Sequence, residues 1–302
     1  MTHVALVLSD PADDTAVLEI LGRMSRRGPI RVSLWPCGPP SPGGHLSLTP
    51  ELSTMGAVLP SHHPVAVDDL AATRPDLVLA ANRGRHPVSV WRSLIRDLSR
   101  GLPVPVWIMN GHTSPPSSVT ALIAPDGGDR ITPDLSTEVL RLSFVLSRVL
   151  DVPLDILNFW SFPEEGLLRS WRFRTPDPEI AERKRRAAWV AQSDLARILA
   201  TIPPDLSWRR LDWLQGPIVS GLDGLASNDA LIVAGSAGRD GWAARFRPNL
   251  AEDLSRHWPT QVVIVKKPDP EAPAFLDGLM RPKNGPWPTP SDDPRKRTAI
   301  RH

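Results

Sequence analysis

Short apolar runs alternate with helix-patterned stretches along the chain, and this alternation constrains the fold more than any other feature. The apolar runs are "HVALVLSD" (His3–Asp10), "IRVSLWPCG", the segment Asp76–Ala81, "PVPVWIMNG", "VTALIAPD", "VPLDILNFW", "SWRRLDWLQG", "NDALIVAG" and "TQVVIVKKP". Several are apolar almost throughout, as in parallel strands covered on both faces. Between them lie stretches with helical spacing. One starts near Asp13 or Asp14 and carries Val17, Leu18, Ile20, Leu21 and Met24. Another carries Val90, Trp91, Leu94, Ile95 and Leu98. A third places Leu135, Val139, Leu142, Leu146 and Val149 on one stripe. The longest, "PDPEIAERKRRAAWVAQSDLARILATI", has prolines at its start, where a helix tolerates them. Strand and helix in turn predict an α/β fold with parallel sheets and right-handed crossovers.

The same order of elements runs twice, over residues 1–112 and 118–268, on either side of the polar linker "HTSPPSS" (His112–Ser118). The expected division is a first domain at 1–112, a second at 118–274 and a disordered tail at 275–302, rich in proline and charge. Two edge-strand candidates, "PVPVWIMN" and "TQVVIVKK", could pair between the halves, between chains, or both.

Charge excludes some partners. The formal net charge is +2, and the stretch Arg281–His302 alone holds six Lys/Arg against two Asp, which leaves the rest at −2. A basic body, the footprint of a nucleic-acid binder, is missing, so no nucleic-acid partner is expected. The single cysteine, Cys37, allows no internal disulfide and no CxxC metal pair. It reads as a small buried hydrophobe. The N-terminus "MTHVALVLSDPADD" has no signal-peptide pattern, and no apolar run approaches the ~20 residues of a membrane span. The expectation is a cytoplasmic protein with no membrane partner. The pair His62-His63 has no supporting carboxylate or cysteine, so no metal cluster is expected. The run "ERKRR" at Glu182–Arg186 lies in a helical stretch and reads as a solvated face. No G-x-S-x-G, H-E-x-x-H or Walker lysine is present, so no enzyme is expected.

The stretch "VAGSAGRDGWAARFRPNLAED" (Val233–Asp253) follows one apolar run and precedes another. A loop after a parallel strand lies at the carboxyl edge of its sheet, where α/β proteins bind ligands. Gly235 and Gly238 there would let backbone amides approach an anion, and the next helix would add its N-terminal dipole. Arg239 could reach a phosphate. The plain alternative is a tight turn in which both glycines adopt left-handed backbone. Asp126, at the end of "ALIAPD", could contact a ligand or simply cap the next turn.

"ALIAPDGGD" and "NDALIVAGSAGRDGWAARFRPNLAEDLSRHWPTQVVIVKKP" together resemble the universal stress protein family, tandem two-domain type. The resemblance is strong over 118–268 and fainter over the first half, where "ALVLSD" ends in Asp10 and Gly84 alone stands in for the glycine loop. It implies two tandem Rossmann-like domains of the adenine nucleotide alpha hydrolase-like kind, each with a mostly parallel five-stranded sheet. It implies a pseudo-dimer within one chain, joined through the last strands, with a further homodimer open. It also implies a stress-response module without turnover, whose second domain binds an adenine nucleotide, ATP. Asp126 then matches the aspartate near the adenine, and Gly235, Gly238 and Arg239 lie on the ribose and phosphate loop. Pro248 and Asn249 stand where nucleotide-binding members carry glycine and Ser/Thr. Proline fixes φ and offers no N–H, whereas Asn249 is a good N-cap. Two other readings stay open: an interaction or scaffold module of the same fold without nucleotide, and an adenylyl-transfer enzyme using ATP.

Overall fold

The structure is a computed structural model, and it describes residues 1–8, 15–37, 66–82, 88–110, 114–123, 133–162, 164–200, 202, 206–216, 229–236 and 261–266. The first half contributes strands β1 (Thr2–Leu8), β2 (Ile30–Pro36), β3 (Leu77–Asn82) and β4 (Val106–Asn110). Its helices are α1 (Thr15–Arg27), α2 (Val67–Ala72) and α3 (Val88–Gly101). The second half contributes β5 (Ser118–Ile123), β6 (Leu154–Trp160), β7 (Arg210–Gln215), β8 (Ala230–Ser236) and β9 (Gln261–Lys266). Its helices are α4 (Pro133–Leu150), α5 (Glu165–Leu168) and α6 (Asp177–Ala200).

All nine strands belong to one sheet, in the order β2-β1-β3-β4-β9-β8-β5-β6-β7. Neighbours are parallel except β4 and β9, which run antiparallel with Trp107 opposite Val263. The halves meet through their last strands, and the two sheets become one. Among the described residues the first half supplies four strands, and no gap separates its sheet from that of the second half. The reason is the hydrogen-bonding appetite of an edge: β4 and β9 each offer a row of unpaired N–H and C=O groups, and each satisfies the other.

Strands β1, β5 and β6 are buried along their whole length, whereas the edge strand β7, with Arg210, Asp212 and Gln215, is only half-buried. On one face lie Val4, Leu6 and Leu8 of β1, Val119, Ala121 and Ile123 of β5, and Trp107 and Val263 from the seam. Helices α1 and α4 cover this face, with Ile20, Leu21 and Met24 from α1. The expected stripe of α4 is buried in full, and Leu140, Phe144, Val145 and Leu150 are buried as well. The helix is apolar over a wide arc because it packs on the sheet while α1 and α6 flank it. The opposite face carries Ala5, Val7, Val78, Ala80, Val262 and Ile264, covered in the first half by Trp91, Ile95 and Leu98 of α3 and Leu70 of α2. Val90, expected on the apolar side of α3, points outward.

The seam is built like an interior. Trp107 is fully buried, and its indole N–H donates to Gln261 Oε1 at 3.1 Å. The Gln261 amide in turn donates to the Ser114 carbonyl at 2.9 Å. The halves are also tied through their helices: Arg23 and Arg27 at the end of α1 donate to the carbonyls of Leu150 and Arg148 at the end of α4, the latter at 2.8 Å. Cations there meet carbonyls that have no partner within the helix.

Candidate functional site

The second half reverses its strand order between β5 and β8. From β5 the chain steps outward to β6 and β7, then returns to the other side of β5 as β8. Parallel sheets open a crevice at such a switch point, outside the carboxyl ends of the two strands. Here those ends are hydrogen-bonded neighbours, with Leu122 opposite Ala234. The chain therefore leaves the sheet after Ile123 beside the point where it leaves after Ser236. The first turn of α4 comes to the same edge, since Leu135 lies against Gly235 near the end of β8. A helix start brings free N–H groups and the positive end of its dipole.

Gly235 is the one predicted site residue within the described residues, and its role differs from the expected turn. It is the penultimate residue of β8 and stands opposite Val265 of β9. Its φ is not positive, unlike that of Gly216. A Cβ at this position would lie 2.9 Å from Leu135 Cγ and 3.2 Å from Val139 Cγ2. Any side chain here would force Leu135 and Val139 of α4 to shift, so the close approach favours glycine. The matching place in β3, two residues after the inward-facing Leu79, is held by the small Ala81 beneath α1. Asp126, Gly238, Arg239 and Asn249 lie outside the described residues, as do Pro248, His62, His63, Asp10 and Gly84.

Two groups near the sheet edges have shifted ionisation. Burial pushes the Cys37 thiol up to about 11, so it is a poor nucleophile at neutral pH. Burial also holds the Lys266 amine down to about 8. Lys266 ends β9 and donates to the Arg100 carbonyl at 2.8 Å, at the close of α3. The sequence shows this lysine only as part of the run "TQVVIVKKP". Its neighbour α3 is 166 residues away in the chain, so no local signal could reveal the contact. The charged run of α6 is a solvated face as expected: Arg183 pairs with Glu179 and Arg185 with Glu182, each at 2.6 Å. Among the described residues no three His, Cys, Asp or Glu side chains converge as metal ligands, and no helix is long and apolar enough to cross a membrane.

No protein-family model matches the sequence, and no curated protein matches it. Solved structures do. A functionally unknown protein from Pseudomonas aeruginosa PAO1 superposes with a TM-score of 0.57 at 14% identity, over 92% of this chain and 95% of that one. A universal stress protein candidate from Pseudomonas aeruginosa UCBPP-PA14 gives 0.56 at 14% identity, over 92% and 96%. A universal stress protein from Archaeoglobus fulgidus DSM 4304 gives 0.50 at 14% identity, over 89% and 97%. Likeness at this identity is likeness of backbone. The chain has the α/β fold of the universal stress proteins.

Proposed function

We propose that this chain is a cytoplasmic stress-response module of the tandem universal stress protein type, and that its second half binds an adenine nucleotide, ATP, without turning it over. The observation that carries this reading is the convergence at the β5–β8 switch point. Two neighbouring carboxyl ends and the first turn of α4 meet at one edge, the arrangement that favours a phosphorylated ligand. Asp126 would face the base, Gly238 and Arg239 the phosphates, and Asn249 would cap the following helix. The first half repeats the switch point between β1 and β3, where Leu8 stands opposite Ala81. It lacks the second glycine, and no nucleotide is assigned to it.

One observation favours a second reading. The packing of Leu135 gives Gly235 a structural need of its own, so half of the glycine pair is explained without a ligand. An interaction module of the same fold that binds no nucleotide would keep it. Titration calorimetry with ATP separates the two, using wild type, Gly238→Val and Pro248→Gly. Gly238 is the residue to change, because altering Gly235 would disturb packing first. The nucleotide reading expects wild type to bind and Gly238→Val to lose at least about tenfold in affinity. Silence in wild type with binding regained in Pro248→Gly would identify a disabled site. Silence in both would leave the interaction module.

A further inference from the structure

Between β6 and α6 the chain builds a small projection that the nucleotide reading does not use. Of residues 164–179, Leu168 alone is buried among those described. The projection is nevertheless tightly held. The Arg169 N–H donates to the Glu165 carbonyl at 3.0 Å, those of Phe173 and Arg174 to the Ser170 carbonyl at 3.1 and 3.0 Å, and that of Thr175 to the Leu168 carbonyl at 3.2 Å. Arg169 ties it to the start of α6 through Asp177 at 2.8 Å, and Lys184 of α6 bonds Glu165 at 3.1 Å.

The projection's turn Trp171–Arg174 presents apolar and cationic side chains, while the exposed carboxylates Glu164, Asp177 and Glu179 lie outside that turn. Trp171 is 76% exposed, Phe173 55% and Leu167 54%. Large side chains so exposed on an ordered turn mark an interaction surface. Arg172 and Arg174 alternate with them, and neither has a carboxylate partner among the described residues. The Arg172 guanidinium rests over the Trp171 ring, 5.5 Å from its centre. Arg174 holds a left-handed φ of 44°, a conformation glycine would adopt more easily. The tip keeps an arginine there despite that cost.

We infer that this tip seats on the surface of an anionic lipid bilayer, with Leu167, Trp171 and Phe173 at the boundary of headgroups and acyl chains and Arg172 and Arg174 on headgroup phosphates. Aromatic rings favour that boundary, and arginine reaches phosphate while its stem stays among apolar groups. The charge of the tip decides against other occupants. A second copy would bring four unpaired guanidiniums together. A nucleic-acid strand needs a continuing basic track, but Arg169, Arg183, Lys184 and Arg185 beside the tip are already held by carboxylates. The absence of an expected membrane partner rested on the lack of a spanning run, and a surface-seated tip needs none. Seating would place the module at the negatively charged cytoplasmic leaflet.

The test is flotation of the full-length chain with vesicles at 0.15 M salt. One set is phosphatidylglycerol and phosphatidylcholine in equal parts, the other phosphatidylcholine alone. Binding to the anionic set should be at least about tenfold stronger. Trp171→Ser with Phe173→Ser should reduce it to the level of the neutral vesicles. Arg172→Gln with Arg174→Gln should weaken it similarly and flatten its salt dependence. All four positions are exposed, so unchanged thermal unfolding of the variants verifies that the fold is intact. No binding to anionic vesicles overturns the inference. So does binding that survives both double substitutions, which would belong to another basic segment. A single-stranded oligonucleotide that binds through these residues while vesicles do not would also overturn it.

Discussion

At the residue scale the structure changes the meaning of Gly235. The spacing of Gly235 and Gly238 suggests a loop, and a loop glycine suggests either phosphate or a left-handed turn. Gly235 is instead strand, pressed by Leu135 and Val139 of α4. Gly235→Ala should therefore lower stability by about 1–3 kcal/mol through overpacking, despite the smaller unfolded-state entropy that alanine brings. For a chain of this size that is a fall of roughly 2–10 °C in Tm. A double-mutant cycle with Leu135→Ala assigns the cause. The two changes should cost less together than the sum of their separate costs, because the methyl fills space the leucine vacates. Additive costs would sink the packing explanation. This role was not legible in the sequence. The pattern "ALIVAGS" gives the strand but not where it ends, and the residue that crowds Gly235 lies a hundred positions earlier. Cys37 is the opposite case, since a lone cysteine beside an apolar strand is buried by default and is found buried.

At the element scale, legibility followed hydrophobic pattern. The nine apolar runs are the nine strands, and α4 sits where its stripe of leucines and valines places it. The four-residue α5 was not foreseen, because one turn is too short to show a helical period. What pattern cannot give is how an element end is satisfied by a distant one. The end of α3 illustrates this. The Arg100 carbonyl near that end accepts from Lys266 of β9, whose amine burial holds down to about 8 from an ordinary 10.5. The sign of the consequence follows from linkage. Between pH 8 and 10.5 the unfolded chain binds a proton at this lysine that the folded chain has released. Stability from this group therefore rises with pH across that window, and the cost of burying the charge is present in full below it. Lys266→Met removes the titration. The Tm advantage of the variant over wild type should be largest below pH 8 and shrink steadily towards pH 10.5. A difference that stays constant with pH would mean that the amine does not titrate there.

At the scale of the whole molecule, two repeated halves have become one body. Pairing of the last strands was one of several arrangements the exposed edges allowed, and it is the one observed within the chain. The consequence is energetic as well as geometric. A surface contact between domains is usually polar and separable. This seam instead holds Trp107, Ile108, Val262 and Val263, all essentially inaccessible to solvent, and a buried Gln261 that satisfies the indole. Parting the halves would expose that apolar surface, leave Trp107 and Gln261 without their partners and reopen two strand edges. Separate opening of one half is therefore disfavoured relative to unfolding of both. Native-state hydrogen exchange reads this directly, because amides that open together share one free energy and one denaturant dependence. The central amides of β1 in the first half and of β5 in the second should converge on the same opening free energy, with the denaturant slope of global unfolding. If the β1 amides exchanged through a cheaper opening with a smaller slope while β5 stayed protected, the halves would be independent domains in contact. If they converge, ligand bound at the β5–β8 edge stabilises the first half as much as the second. Both halves would then respond to the proposed nucleotide, although only one would hold it.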